Sequence, residues 1–593
     1  MVQSITWKIG GEAGFGIMAS GMMLARAFSR HGYYIFSLNE YPSLIRGGHN
    51  AVTVRIATEP FHALDRSLHI LVALNRETVE IHKKDMMPGT VLVYDPNDYA
   101  WKSEEVPIGV TLLPIPFREL VQKKGGDVIM RNTVALGASI ALLGAPFEYV
   151  ADVIVGQFKK KGEAVVNHNL DIARSGYDAV GAANVDVNSL TLSASAKQED
   201  YLLINGSEAV GLGAVRAGLK FAAIYPMTPI NALITFLADH AKTLGIVYKQ
   251  PEDEIAGINM AIGASLCGVR SMVATSGGGF ALMVEGLSLA GMIEAPIVID
   301  IGMRVGPATG MPTWTEQGDL QFIIHAGHGE FSRIVLAPSN ATEAYECTIL
   351  AFHLAEQFHI PVFVLTDKYL NESQWCVPSA SLKGAVTIER GKIMPTGTEP
   401  SEKSFKRYDL QASDGVSARS FPGMKGGQYI ANSYEHDETG LVSEDPAVRT
   451  AMVDRRIKKL DAIKKVILPP VTYGDQSATQ VIMTWGSTLG PVLEAMKLTG
   501  FEIRGAPIKV LYFPWLYPFP VELAMTALKG VGRIIDIEQN GTGQLASLIR
   551  AQTGIEITEK LLKYDGRPFM PEEILERVNP KHKILNSKQI QVT

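Results

Sequence analysis

The sequence predicts a multidomain α/β protein built on parallel sheets, and three observations carry the prediction. Strand-like apolar runs alternate with helical segments along most of the chain, the pattern of parallel α/β units. In the middle third those runs are almost continuously apolar, as strands buried on both faces are. The chain has 593 residues, too many for one core at roughly 100–200 residues per domain.

The elements follow in order. A first domain is expected over 1–190. Its strand Ile5–Ile9 runs into the glycine turn GGEAGFG and then a helix from Ile17 to about Gly32. Further strands are expected at HILVAL, TVLVYDP and VTLLPIP. Residues 191–199 read as a linker. A second domain is expected over 200–371, with strands at KFAAIY, RSMVATS, APIVIDIG and IPVFVLT and helices at PINALITFLADHAKTLG and FALMVEGLSLAGMIE. Residues 372–474 are polar, rich in Gly and Ser and weakly periodic, which indicates a functional crossover or a flexible arm. That stretch ends in a basic helix, AVRTAMVDRRIKKLDAIKK, read as a solvated face or an interface helix. A last domain is expected over 475–593, with strands at QVIMTWGS, IKVLYFP and RIIDIEQN.

Composition narrows the function classes. A net charge of −6 argues against a nucleic-acid protein, which ordinarily shows a basic face. No apolar run reaches the 18 or so residues of a membrane span, and the N-terminus lacks a basic flank followed by an apolar block. The three cysteines, Cys267, Cys347 and Cys376, are too far apart for any CxxC pair. That excludes a disulfide scaffold, excludes a four-cysteine iron–sulfur site made by this chain alone, and fits a reducing cytoplasm. Each cysteine is expected to be a small buried apolar residue.

Four short segments can carry chemistry. Tyr225-Pro226-Met227-Thr228-Pro229 stands at a strand's carboxyl end, where open α/β sheets gather ligands. Pro229 suits the first turn of the next helix, and Thr228 could face a ligand near the helix amides or simply cap them. Glu252, Asp253 and Glu254 open another helix. The dipole explains the first two, whereas Glu254 abuts the apolar stripe and is a candidate to share a proton with a ring nitrogen. Ser276 followed by Gly277, Gly278 and Gly279 allows close backbone approach to a ligand, or makes a plain turn. It is not a P-loop, because no Gly-Lys-Ser/Thr follows. Finally Arg304 opens the loop RVGPATGMPT, which ends at Thr313. A planar guanidinium past a strand end is a good carboxylate clamp, and a surface ion pair is its bland alternative. Each segment alone is weak; four at successive strand ends of one sheet are stronger.

Taken in this order, YPMTP, the acidic helix start, the glycine turn and RVGPATGMPT resemble the thiamine diphosphate pyrimidine-binding domain of the 2-oxoacid:ferredoxin oxidoreductases. IGGEAGFGIMASGMMLA followed by NEYPSLIRGGHNAVTVR resembles the family's gamma domain, fused here ahead of the alpha domain. EHDETG and the last block resemble its alpha-subunit linker and transketolase-C-like domain. The resemblance implies that Glu254 hydrogen-bonds the aminopyrimidine of the cofactor, with Pro229, Gly277 and Gly278 around it. It implies that Thr228 and Arg304 lie near the substrate's carboxylate and carbonyl, with Tyr225 and Thr313 beside substrate and coenzyme A. Arg46, Gly47 and Gly48 resemble part of the coenzyme A docking surface, and a tight solvated turn is their alternative. The family's Gly-Gly-Pro-Ser is Val305-Gly306-Pro307-Ala308 here, so no serine hydroxyl stands at 308.

The chain shows no GDG motif followed by an Asn pair and no cluster cysteines. In this family both belong to a beta subunit, so the resemblance implies no metal site on this chain. Mg²⁺ and a [4Fe–4S] cluster are expected on the partner, with thiamine diphosphate shared between the two. It further implies a dimer of alpha–beta heterodimers, ferredoxin as acceptor and CoA-dependent oxidative decarboxylation, with 2-oxoglutarate first and a broader 2-oxoacid or pyruvate second. Two other classes stand beside it: a non-redox transketolase-type thiamine enzyme, and a non-catalytic CoA-binding scaffold.

Overall fold

A computed structural model of the chain describes residues 2–44, 47–183, 190–194, 200–395 and 405–579. They form two compact units. One comprises Met1–Ile204, Ser373–Ser381 and Met570–Leu575; the other comprises Asn205–Glu372, Leu382–Phe569 and Glu576–Thr593.

The first unit holds an eight-stranded sheet. Its strands are β1 (Ser4–Glu12), β2 (Tyr34–Glu40), β3 (His49–Ala57), β4 (Ile70–Ala73), β5 (Val91–Tyr94), β6 (Thr111–Pro114), β7 (Tyr201–Asn205) and, from far along the chain, β14 (Gln374–Pro378). The order is β6-β5-β4-β1-β3-β2-β14-β7. The expected strands β1, β4, β5 and β6 are parallel. The sheet as a whole is not, because β3 runs antiparallel to both β1 and β2. The short connection between β2 and β3 explains this: antiparallel neighbours need only a tight link, whereas a parallel pair needs a crossover. Helix Ile17–Arg30 covers the sheet with Ile17, Ser20, Gly21, Leu24 and Phe28, one face at helical spacing.

The second unit carries two sheets. In the larger lie β8 (Phe221–Ala223), β9 (Val247–Lys249), β10 (Ser271–Thr275), β11 (Ile297–Met303), β12 (Ile334–Leu336), β13 (Pro361–Asp367) and β19 (Trp515–Tyr517), in the order β19-β12-β13-β11-β10-β8-β9. All pair in parallel except β19. The smaller has β15 (Val471–Tyr473), β16 (Gln480–Thr484), β18 (Ala506–Tyr512), β20 (Arg533–Glu538) and β21 (Glu559–Leu562), with β17 (Glu502–Ile503) paired to β18. A single apolar core runs through both, including Phe280, Phe363, Trp485, Phe513 and Leu545. The unit is therefore one packed body rather than two sheets on a tether.

Two expectations are corrected. The basic helix, Pro446–Lys464, is a solvated face only in part: Arg449, Lys458 and Lys464 are exposed, but Arg455, Arg456 and Lys459 are buried. Their spacing puts all three on one stripe. Lys459 Nζ lies 2.7 Å from Glu294, Arg455 pairs with the same carboxylate, and Arg456 lies 2.7 Å from Glu435. Arg407 adds a third cation to Glu294 at 3.9 Å. The charges face inward because buried carboxylates await them. Among the cysteines Cys347 is buried and Cys376 half-buried, but Cys267 is exposed, at the end of helix Glu254–Leu266 where the apolar face runs out.

Candidate active site

The parallel strands of the larger sheet deliver the site at their carboxyl ends. After β8 the chain turns through Tyr225–Ile230, closed by Ile230 N–H donating to Met227 O at 3.0 Å. The next helix starts at Asn231, so Pro229 lies ahead of its first turn, and Thr228 does not cap it. The cap position is Ile230, which offers no side-chain acceptor. Thr228 keeps its hydroxyl for other contacts; Asn231 Nδ2 approaches it at 3.5 Å. Tyr225 is half-buried, Pro229 buried, and the Thr228–Pro229 peptide is cis.

Arg304 follows β11. Its Nη1 donates to Thr228 O at 2.9 Å, so the two predicted substrate residues meet directly. Burial lowers the guanidinium's pKa and nearby Asp319 opposes that fall. Beyond Arg304 a bridge between Val305 and Met311 closes an exposed loop. Thr313 is buried again, and its Oγ1 has no hydrogen-bond partner.

Asp253 caps helix Glu254–Leu266, accepting from Ala256 N–H at 2.8 Å. That cap fixes the first turn and presses Glu254 inward, where it is 2% exposed. Its Oε1 is buried with no partner. Leaving such an atom unpaired costs about 1–3 kcal/mol, so it fits a hydrogen-bonding group on a bound ring. Gly277–Gly279 form the first turn of helix Gly277–Met292 rather than a turn ahead of it. A Cβ on Gly279 would lie 2.4 Å from Glu254 Oε1, and one on Gly277 would lie 2.3 Å from Asp319 Oδ2. Gly278 is exposed and unobstructed, its nearest neighbour being Ala308 O at 3.6 Å. The turn is thus a cradle bounded by two carboxyls.

Three acids at this site escaped the sequence reading. Burial raises the Asp319 carboxyl to about 6, partly offset by Arg304, and raises Glu316 to about 7 with help from Asp319. Asp367 is fully buried at the end of β13, where burial raises its pKa against the hydrogen bonds it accepts. It accepts from Leu370 N–H at 2.9 Å, Gln317 Nε2 at 3.2 Å and Ser487 Oγ at 2.5 Å. Gln317 N–H also donates to Gln539 O at 2.7 Å. The segment after the Arg304 loop is therefore clamped between the two sheets of its unit. The spacing TEQGD offers no signal for this, because the partners that clamp it lie 50 or more residues away along the chain.

In the other unit Gly47 and Gly48 adopt φ of 75° and 82°, and Gly48 packs against Pro42. Arg46 lies outside the described residues. His49 Nε2 meets His82 Nε2 at 2.9 Å, and His82 Nδ1 meets Asp85 at 2.9 Å. Among the described residues no helix is long and apolar enough to cross a membrane.

The family model for the pyruvate flavodoxin/ferredoxin oxidoreductase thiamine diphosphate-binding domain matches residues 212–455, and that for pyruvate ferredoxin/flavodoxin oxidoreductase matches residues 6–179. Over 633 aligned residues the chain is 33% identical to the 2-oxoacid:ferredoxin oxidoreductase alpha subunit of Sulfolobus sp., covering 96% of each chain. The chain belongs to the 2-oxoacid:ferredoxin oxidoreductase alpha-subunit family. The solved 2-oxoglutarate:ferredoxin oxidoreductase of Magnetococcus marinus, with 2-oxoglutarate, coenzyme A and succinyl-CoA bound, superposes on this alpha subunit with a TM-score of 0.90. It is 33% identical, and the match covers 98% of this chain and 99% of that one. The 2-oxoglutarate oxidoreductase subunit of Mycobacterium tuberculosis is 26% identical, over 97% of the alpha subunit and 91% of its own length.

Proposed function

We propose that this alpha subunit, joined to a beta subunit, carries out the CoA-dependent oxidative decarboxylation of 2-oxoglutarate to succinyl-CoA and CO₂, passing electrons to ferredoxin. The observation that carries the reading is the pairing of an orphaned, buried Glu254 carboxyl with the Thr228–Arg304 contact on one sheet edge. The donor set fits thiamine diphosphate: Glu254 to hold a proton shared with the aminopyrimidine, and Pro229, Gly277 and Gly278 to let the ring approach. The bound cofactor supplies an electron sink for the pair released as CO₂ leaves. Arg304 orients the substrate carboxylate, Thr228 and Tyr225 flank its carbonyl, and Thr313 Oγ1 offers a hydrogen bond to substrate or coenzyme A. Arg46, Gly47 and Gly48 are proposed for coenzyme A docking. Mg²⁺ and a [4Fe–4S] cluster are assigned to the beta subunit, in a dimer of alpha–beta heterodimers.

The name shared by the Sulfolobus sp. relative and a second one from Sulfurisphaera tokodaii, also 33% identical, is 2-oxoacid rather than 2-oxoglutarate. That favours a broader acid range as the second reading. The test is viologen reduction by the purified native complex. The first reading expects CoA-dependent reduction, with kcat/KM for 2-oxoglutarate at least about tenfold above that for pyruvate. Comparable values point to the second reading; no reduction with either acid sinks both. A second chain bearing GDG and several cysteines should copurify.

A further inference from the structure

Asp319 stands where its side chain has an obvious use and does not take it. It is the residue before helix Leu320–His325, a place where aspartate ordinarily accepts from the helix amides. No such bond forms. The carboxyl turns instead toward Gly277, into space that the missing Cβ leaves open. Oδ2 is shut off from solvent without a hydrogen-bond partner. The segment is held fast: Gln321 N–H donates to Gln544 Oε1 at 2.9 Å and Gln544 Nε2 donates to Gly318 O at 2.7 Å. Arg304 and Asp319 make no direct ion pair; the half-buried guanidinium and the buried carboxyl act on each other's charge through space. The other acids nearby are Glu316 on its own loop and Glu254, against Gly279 in the same turn.

We infer that Asp319 is a positioning residue for the 2-oxoacid: its carboxylate is the counter-charge that an incoming substrate carboxylate must share Arg304 with. It thereby sets how tightly, and in which orientation, Arg304 holds the acid. This deepens the proposed function and rests on it. Arg304 is tied to the Thr228 carbonyl on one side. Its remaining pull is divided, through space, between Asp319 and the substrate. An ionised Asp319 weakens ground-state binding and keeps the guanidinium aimed. When Asp319 takes a proton, as pH falls through about 6, the competition ends: binding tightens and aim is lost.

The test uses the purified complex with Asp319→Asn, Asp319→Glu and Glu316→Gln. The wild-type complex is assayed first, and its failure to turn over any 2-oxoacid would overturn the functional reading on which this one depends. With activity established, Asp319→Asn should lower KM for the acid about threefold or more and kcat about tenfold near pH 7.5. The wild-type KM should fall between about pH 7.5 and pH 5.5, a dependence absent in Asp319→Asn and kept in Glu316→Gln. Asp319→Glu should restore part of kcat. Calorimetric binding of 2-hydroxyglutarate, which has no keto carbon to react, should tighten in Asp319→Asn as KM does. An Asp319→Asn complex with wild-type KM and pH profile overturns the inference. So does a loss seen only in thermal stability, or a pH dependence that vanishes with Glu316 instead.

Discussion

Gly279→Ala probes the site at its tightest point. A Cβ at 279 would lie 2.1 Å from Thr275 Oγ1 and 2.4 Å from Glu254 Oε1, with Glu254 Cδ at 3.0 Å. Comfortable separation is about 3.5 Å, so something moves by roughly 1 Å. Thr275 is part of a strand buried along its whole length, and shifting it disturbs the sheet. The Thr275 hydroxyl can only turn aside within its buried strand, so the Cβ is pushed toward the Glu254 carboxyl, the softer neighbour, which yields as well. Overpacking costs about 1–3 kcal/mol, while replacing a helical glycine by alanine returns up to ~1 kcal/mol. Folding therefore survives, but a catalytic group misplaced by about 1 Å loses on the order of 100-fold in rate. CoA-dependent viologen reduction should fall by about that factor while the melting temperature drops only slightly. Gly278→Ala meets nothing nearer than 3.6 Å and should keep wild-type thermal stability; any activity it loses reports backbone approach to the cofactor. The double variant Gly279→Ala/Glu254→Gln should be little worse than Glu254→Gln, because both act on one carboxyl. A Gly279→Ala complex within about threefold of wild-type turnover would refute the placement of Glu254.

Other outcomes follow from the same geometry. Glu254→Gln should cost kcat about 100-fold or more in an intact complex, since general acid–base groups contribute on that scale; undiminished ferredoxin reduction would rule out its assigned role. Arg304→Lys cannot reproduce a planar fork beside the Thr228 carbonyl, and KM for the 2-oxoacid should rise about tenfold, read from initial rates. Glu294→Ala leaves Arg455, Lys459 and Arg407 buried without their anion, a loss of about 3–5 kcal/mol measurable by denaturant titration. For Glu435, burial alone would raise the carboxyl, but Arg456 and Arg449 hold it at about 2 against an ordinary 4.5. Its stabilisation is therefore full above about pH 4.5 and lost as pH falls toward 2. Glu435→Gln should cost on the order of 2–3 kcal/mol near neutral pH, with the gap to wild type roughly halved by about pH 3 and closing only near about pH 2 in acid unfolding curves.

What could be read from the sequence follows the range of the forces involved. β10, β11 and β13 were legible because strands buried on both faces announce themselves as apolar runs. β12 and β9, three residues each, carry too little pattern to register. β2 and β3 were masked by the glycine segment between them, which drew attention as a ligand loop rather than as a strand connection. Glu254 was legible because an acid at the edge of an apolar stripe is a local contradiction. The basic helix misled for the opposite reason: its cations conform to a solvated face, and the anions that bury them sit elsewhere, Glu294 more than a hundred and fifty residues earlier. Asp319 was invisible on both counts. It stands before a helix, where aspartate is commonplace, and its neighbour Gly277, after a different strand, reaches it only through the fold. The residues that define this site locally are the ones a sequence can show. Those that tune it act across the fold, and a side chain that declines its nearest hydrogen bond is the structural sign by which they are found.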